Sequence, residues 1–378
     1  MKLVLGKWTV HDQGGSLCLG PEENGGFTAR DCDAVPRTAY DPVVTGFSSN
    51  GVPCNVGQQG CSESAPGTVV FEETATAPGR LAYGQPWSPD GSWVAVTARD
   101  GTTTLVAPTG GATRNLKVPA GEIRWSPDGS CAVYVYRIGR RDPHAKTLAV
   151  TRASDGSTRV LATGDDFTHQ IWTGDGRPHS LMGDGTLRSF ARPDIWQPPE
   201  AYLPPHHDAL VSVTMPRGAH NTIRRFSLDT ARESTFVARD LPAGNELLLQ
   251  ASGARLPVAL VQVYPTATFP GRTVLLSVPT GETLLEFTPL LSDTDPGFFG
   301  TSLAHDDQWI VGQVAHSSDG HRYDRSEIWV ASRTGRWLRM LGGATMGTDP
   351  QCPAHGDWLA FNELTSDLVH IGRLRVTP

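Results

Sequence analysis

Histidine stands with acidic residues at several places in the chain, among them His206-His207-Asp208, His305-Asp306-Asp307, and His355 with Asp357. Neutral imidazole and carboxylate are the common ligands of zinc and other borderline divalent ions. A metal-bound water has its pKa lowered to about 7 and can attack an ester or phosphoester. Brought together, His206, His207, His305, Asp306, His355 and Asp357 would make a metal-dependent hydrolytic site for Zn, Mn or Ca. The plainer use of the same residues is local, because Asp and His in short turns bond nearby backbone N–H groups. A dedicated calcium loop fits less well. Its Asp-x-Asp-x-Asp-Gly spacing is absent, and Asp293 with Asp295, or Asp165 with Asp166, is only a fragment of it. Serine hydrolysis needs a Gly-x-Ser-x-Gly elbow, and the nearest approach, Gly46-Phe47-Ser48-Ser49-Asn50, lacks the closing glycine.

A second set of residues has the character of a binding rim. Arg140, Arg141 and His144 lie in the segment RIGRRDPHAK, and Trp196 and Tyr202 in the proline-rich segment at 193–205. Binding residues concentrate on loops held by a rigid scaffold. A solvated loop and an extended strap are the plain alternatives for these two segments.

The elements that must position all of these are strands. The 378 residues include 41 glycines and 29 prolines, close to one residue in five. In a helix interior Gly costs about 1 kcal/mol and Pro about 3, so breakers this dense exclude a helical bundle. Hydrophobic residues are 38%, with 10 Trp and 12 Phe, enough for a large core. The net charge is -7, and basic residues adjoin only at Arg140-Arg141 and Arg224-Arg225, which excludes a phosphate-tracking nucleic-acid surface. No run of about 18 apolar residues is present to span a membrane as a helix.

Four of the six cysteines, Cys18, Cys32, Cys54 and Cys61, crowd into a segment rich in Gly, Ser and Asn. Such a segment buries little, and disulfides, at about 2–4 kcal/mol each, would supply the missing stability. Their connectivity is open. The spacings lack the close Cys-x-x-Cys pair of a zinc site. Disulfides imply an exported protein, periplasmic or extracellular. The opening MKLVLGKW has too short an apolar run for a signal-peptide core, so the exported reading expects a signal already removed. A cytoplasmic chain with four thiols here is the alternative.

A repeat runs through the remainder. WSPDGSWVAV at 87–96 returns as WSPDGSCAVY at 125–134 and, weaker, as WTGDGRPHSL at 172–181. The same frame continues faintly from Leu203, Leu249, Leu303 and Cys352. In one copy an apolar strand ends at Trp, Ser-Pro-Asp-Gly turns the chain, and a second apolar strand follows. Residues 103–107 and 113–118 make two more strands about the Gly110-Gly111 hairpin. Four short antiparallel strands in about 40–50 residues make a propeller blade. In that frame Trp87, Trp125 and Trp172 are blade-packing core rather than a stacking ring for a ligand. Cys131 and Cys352 fall at tryptophan positions of other copies, as buried, inert thiols.

The Trp-Ser-Pro-Asp-Gly-Ser copies at 87–96 and 125–134 resemble the WD40-like repeat of TolB-type β-propellers, also found in the propellers of dipeptidyl-peptidase-IV-like enzymes. The resemblance covers roughly residues 68–378 and implies the fold far better than the function. After the second copy the chain departs from it, with His206 and His355 where the turn Asp belongs. The expectation is an all-β propeller of seven four-stranded blades, with six as the alternative. Residues 1–66 form a cysteine-rich extension, and 67–378 the propeller, closed by 68–73 (TVVFEE) as the outer strand of the last blade. The leading functional expectation is a non-catalytic exported module, monomeric and without cofactor, that binds a protein, peptide or glycan. The metal-dependent hydrolase is the competing one.

Overall fold

In a computed structural model, the described residues are 2–4, 7–12, 15–21, 27–31, 46–48, 53–54, 61–63, 68–119, 122–137, 146–164, 167–173, 176–194, 208–213, 222–227, 233–239, 241, 246–253, 256–264, 272–287, 298–316, 325–333, 338–341 and 347–377. Every regular element among them is a strand. No helix among them is long and apolar enough to cross a membrane. Two sheets belong to the N-terminal part. One is the meander of Lys2–Val4, Lys7–Asp12, Gly15–Pro21 and Phe27–Asp31; in the other, Gly46–Ser48 lies between Pro53–Cys54 and Cys61–Glu63. The side chains of Cys18, Cys32, Cys54 and Cys61, and with them the expected disulfides, lie outside the described residues.

Among the described residues, seven further antiparallel sheets follow, not all of them four-stranded. The first is Arg80–Leu81, Val94–Thr97, Thr102–Val106 and Thr113–Pro119, and the second Ile123–Trp125, Cys131–Arg137, Lys146–Arg152 and Thr158–Gly164. The third (Phe167–Trp172, Pro178–Met182, Leu187–Ser189) and fourth (Asp208–Val213, Thr222–Ser227, Glu233–Thr235) show three strands among the described residues, where four were expected. The fifth runs from Glu246–Ser252 through Val258–Tyr264 and Arg272–Ser277 to Thr283–Phe287. The sixth comprises Phe298–Ala304, Trp309–His316, Arg325–Ser332 and Leu338–Met340. The seventh takes Gly347–Gln351, Trp358–Glu363 and Leu368–Thr377 from the C-terminal end and Thr68–Pro78 from far earlier in the chain.

This succession of meanders is a β-propeller. Thr68–Pro78 pairs antiparallel with Leu368–Thr377 from Thr68 opposite Thr377 to Pro78 opposite Leu368, well past the TVVFEE hexapeptide. It covers the edge that the last strand would otherwise leave open.

The repeat motif folds as its chemistry dictates. Ser88 Oγ donates to Asp90 Oδ1 at 2.7 Å, which also accepts from Ser92 N at 3.1 Å; Trp93 N donates back to Ser88 Oγ at 2.9 Å. Ser126, Asp128, Ser130 and Cys131 repeat these bonds at 2.6, 3.1 and 2.9 Å. Gly91 and Gly129 both have φ of 71°, the left-handed conformation that only glycine adopts without strain.

Trp87, Trp125 and Trp172 are buried, at 1%, 3% and 4% exposure, which settles them as core. Trp87 packs with Val94, Val96, Val369 and Ile371 between the first and seventh sheets. Trp172 packs with Cys131, Val133, Leu148 and Phe167 between the second and third. Their indole N–H groups reach backward round the ring: Trp87 Nε1 donates to Gln351 O at 2.8 Å and Trp172 Nε1 to Arg124 O at 3.2 Å. Each acceptor lies one residue before the repeat position of the preceding sheet.

Candidate functional site

The turns that join the first and second strands of the sheets touch one another in an arc. A Cβ placed on Gly129 would lie 3.4 Å from Asp90 Oδ1, and one on Gly91 3.1 Å from Trp358 Cδ1. His355 Nδ1 donates to Asp306 Oδ1 at 2.8 Å, and Leu256 N donates to Asp307 Oδ2 at 2.8 Å. The arc therefore links the turns of the second, first, seventh, sixth and fifth sheets. His305, Asp306 and Asp307 hold φ of 50°, 57° and 68°, a left-handed run that Asp and Asn tolerate better than most residues.

The metal reading of these residues does not take shape in the described part of the arc. His305 Nε2 donates to Leu374 O at 3.1 Å, and His355 is turned to Asp306. Asp357 accepts from Arg373 Nη1 at 2.7 Å and Arg375 Nη1 at 2.8 Å. Each side chain serves as a clasp to a different neighbour. Among the described residues no group of three or more His, Cys, Asp or Glu is placed to hold a metal ion. His206 and His207 lie outside the described residues, as do Arg140, Arg141, His144, Trp196 and Tyr202 of the expected binding rim.

The first strand of each sheet runs toward that arc, so its beginning lies at the opposite end. There a carboxylate joins three successive sheets. Glu122, just ahead of Ile123–Trp125, accepts at Oε1 from Arg124 Nε at 3.0 Å and Nη2 at 2.8 Å. Its Oε2 lies 3.2 Å from Nδ1 of His169, on the first strand of the third sheet. Beneath it is Gly84 of the first sheet, where an added Cβ would come within 2.7 Å of Glu122 Cγ. Gly84 forms a parallel bridge with Ile123.

The three side chains are layered. The Glu122 side chain is 8% exposed, while those of His169 and Arg124 are 25% and 38% exposed. Burial pushes the Glu122 carboxyl up, but the Arg124 guanidinium and the bond from His169 outweigh it and hold the group below its ordinary value of 4.5. An ionised carboxylate accepts only, so His169 Nδ1 carries the hydrogen, and in the neutral form of the ring Nε2 presents a lone pair. Nε2, and Nη1 of Arg124, meet no partner among the described residues. A buried anion thus holds two nitrogen-bearing side chains that are more exposed than itself. Tyr83, beside Gly84, is 74% exposed.

The sequence reading passed over this cluster, although a signal was present. Gly84, Glu122 and His169 each stand three residues before the tryptophan of their repeat copy, Trp87, Trp125 and Trp172. One repeat position occupied by Gly, Glu and His in succession marks a contact between copies.

Cys131 and Cys352 are thiols. Burial drives the Cys131 thiol up to about 11 and that of Cys352 up to about 12, so at neutral pH both are protonated and poor nucleophiles.

Comparison with known proteins bears on the fold. No family model matches the sequence, and no curated protein matches it. Among solved structures, the β-propeller domain of Myceliophteria thermophila Cps50 (Swd1) superposes with a TM-score of 0.50 at 14% identity, covering 81% of this chain and all of that one. TolB from Acinetobacter baumannii gives 0.41 at 12% identity, over 79% of this chain and 65% of its own. One of two prolyl endopeptidases gives 0.48 at 12%, over 79% of this chain and 50% of its own. The likeness to the Cps50 domain agrees with the sheet order: the chain has a β-propeller fold.

Proposed function

We propose that the chain is a non-catalytic binding or scaffolding module that holds a protein, peptide or glycan partner at the end of the ring where the inner strands begin. Tyr83 carries this reading. A side chain of that size, 74% exposed next to Gly84, leaves most of its surface open to solvent. Tyr and Arg are the residues enriched where partners dock, because they offer large contact area and directed polar groups at low conformational cost. Arg124 and His169, on the next two sheets, add directed donors and acceptors held in place by Glu122. The exported location belongs to the same proposal and rests on the four cysteines between residues 18 and 61.

The test is a screen of the purified chain against peptide and glycan arrays, repeated with Tyr83→Ser and His169→Gln. Ligands retained by the parent and released by these variants place the docking surface here. Ligands indifferent to both substitutions would overturn the reading.

A further inference from the structure

We infer that Arg124 and His169 form a subsite for a carboxylate group, and that its occupation is coupled to a proton on His169. The inference rests on the docking surface proposed above and names the chemistry it accepts. Glu122 is sealed beneath the two nitrogen side chains and spends both oxygens on them, so it orients rather than binds. With His169 neutral, Glu122 and Arg124 cancel, and the bare lone pair of Nε2 faces any incoming anion. Protonation turns Nε2 into a donor and leaves the cluster with one net positive charge directed outward. A carboxylate can then accept from Arg124 Nη1 and His169 Nε2, the charge-assisted geometry for which the guanidinium is suited.

Among the described residues, the charged groups about His169 are few. Glu122 and Arg124 face it from the preceding inner strand. Lys146 of the second sheet is held two residues away by its bond to Phe167 O at 2.9 Å. On the adjoining strand Pro178–Met182, His179 turns to Arg177 O at 3.1 Å, while Leu181 is the residue opposite His169. A carboxylate bound between Arg124 and His169 therefore favours the protonated ring.

Two probes separate the sources of such a group: N-acetylglycine stands for a peptide C-terminus and glucuronate for an acidic sugar. Their uncharged counterparts are N-acetylglycinamide and glucose. Binding is followed by NMR titration of the full chain at pH 5.5 and pH 8. The expected result is that one or both acids bind at least fivefold tighter at pH 5.5, that the uncharged counterparts do not bind, and that His169→Gln abolishes the pH dependence. Arg124→Lys keeps a cation over Glu122 while losing the planar fork, and weakens the acid at both pH values. His169→Gln leaves Glu122 paired with Arg124 and so decides the matter even where the arginine variant unfolds. Equal affinity for acid and uncharged probe, or an unchanged pH dependence in His169→Gln, would overturn the inference. Failure of the acids while array ligands are still released by Tyr83→Ser removes the subsite alone. Carboxylate binding that leaves captured array ligands in place removes the docking reading alone.

Discussion

Glu122 Oε2 lies 3.2 Å from His169 Nδ1, and the two residues occupy the same position, three before tryptophan, in consecutive copies of one repeat. Gly84 fills that position in the copy before them. The absence of a side chain there gives the carboxylate room, and its contact with His169 in turn joins the second and third sheets.

Gly84→Ala is accordingly a severe change at an outwardly innocuous place. The residue has φ of 95°, and its Cβ would meet Glu122 Cγ and Ile123 O, each at 2.7 Å. Left-handed strain of about 1 kcal/mol adds to overpacking of about 1–3 kcal/mol. Denaturant unfolding should show a loss on the order of 2–4 kcal/mol. A neutral result would mean that Glu122 has freedom the close approach denies.

The tryptophans should not be equivalent. Replacing Trp172 by Phe removes the N–H bonded to Arg124 O, and replacing Trp87 removes the one bonded to Gln351 O. Trp125 Nε1 is buried with no partner among the described residues. A buried hydrogen bond is worth about 0.5–1.5 kcal/mol, and its loss leaves an acceptor unsatisfied. Trp125→Phe is therefore expected to cost less than either of the other two, by about 1 kcal/mol. Calorimetric melts of the three single variants provide the comparison.

In the Ser-Pro-Asp-Gly turn the serine matters more than its sequence setting suggests. Ser126 Oγ accepts from the buried N–H of Cys131 at 2.9 Å and donates to Asp128, whereas the half-buried Ser130 Oγ donates to Asp128 at 2.9 Å. Ser126→Ala orphans a buried donor and should cost about 1–3 kcal/mol. Ser130→Ala should cost less than half of that, and the ranking is read from the same unfolding curves.

The clamp also predicts a response to acid. The folded pKa of Glu122 is depressed below 4.5, so its stabilising contribution is fully present above that value. It is lost as the pH falls from there through the depressed folded value. Glu122→Gln should therefore be less stable than the parent at neutral pH, with the margin closing below pH 4.5. A difference that persists undiminished at pH 3 would show that the side chain contributes by packing rather than by charge.

Cys131 and Cys352 should resist alkylation in the folded chain at pH 8, because their thiols sit near 11 and 12, and should react on unfolding. Mass spectrometry of peptides after brief iodoacetamide treatment reads both sites. Rapid native modification of Cys131 would contradict its burial.

What the sequence determined by itself is what depends on neighbours along the chain. Breaker density excluded helices, and alternating turns and apolar runs specified strands. The Ser-Pro-Asp-Gly turn was legible because Ser88, Asp90 and Ser92 satisfy one another within five residues. The burial of Trp87, Trp125 and Trp172 followed from their recurrence. Types of side chain were readable as well, but not their partners. His305 and His355 look alike in the sequence, yet one is bonded to Leu374 O and the other to Asp306, 69 and 49 residues away. The tertiary structure alone brought Glu122 to His169, because an inter-sheet contact depends on register. A bulge between Phe167 and His169 shifts that register by one residue, and in a strand such a shift decides which way a side chain faces.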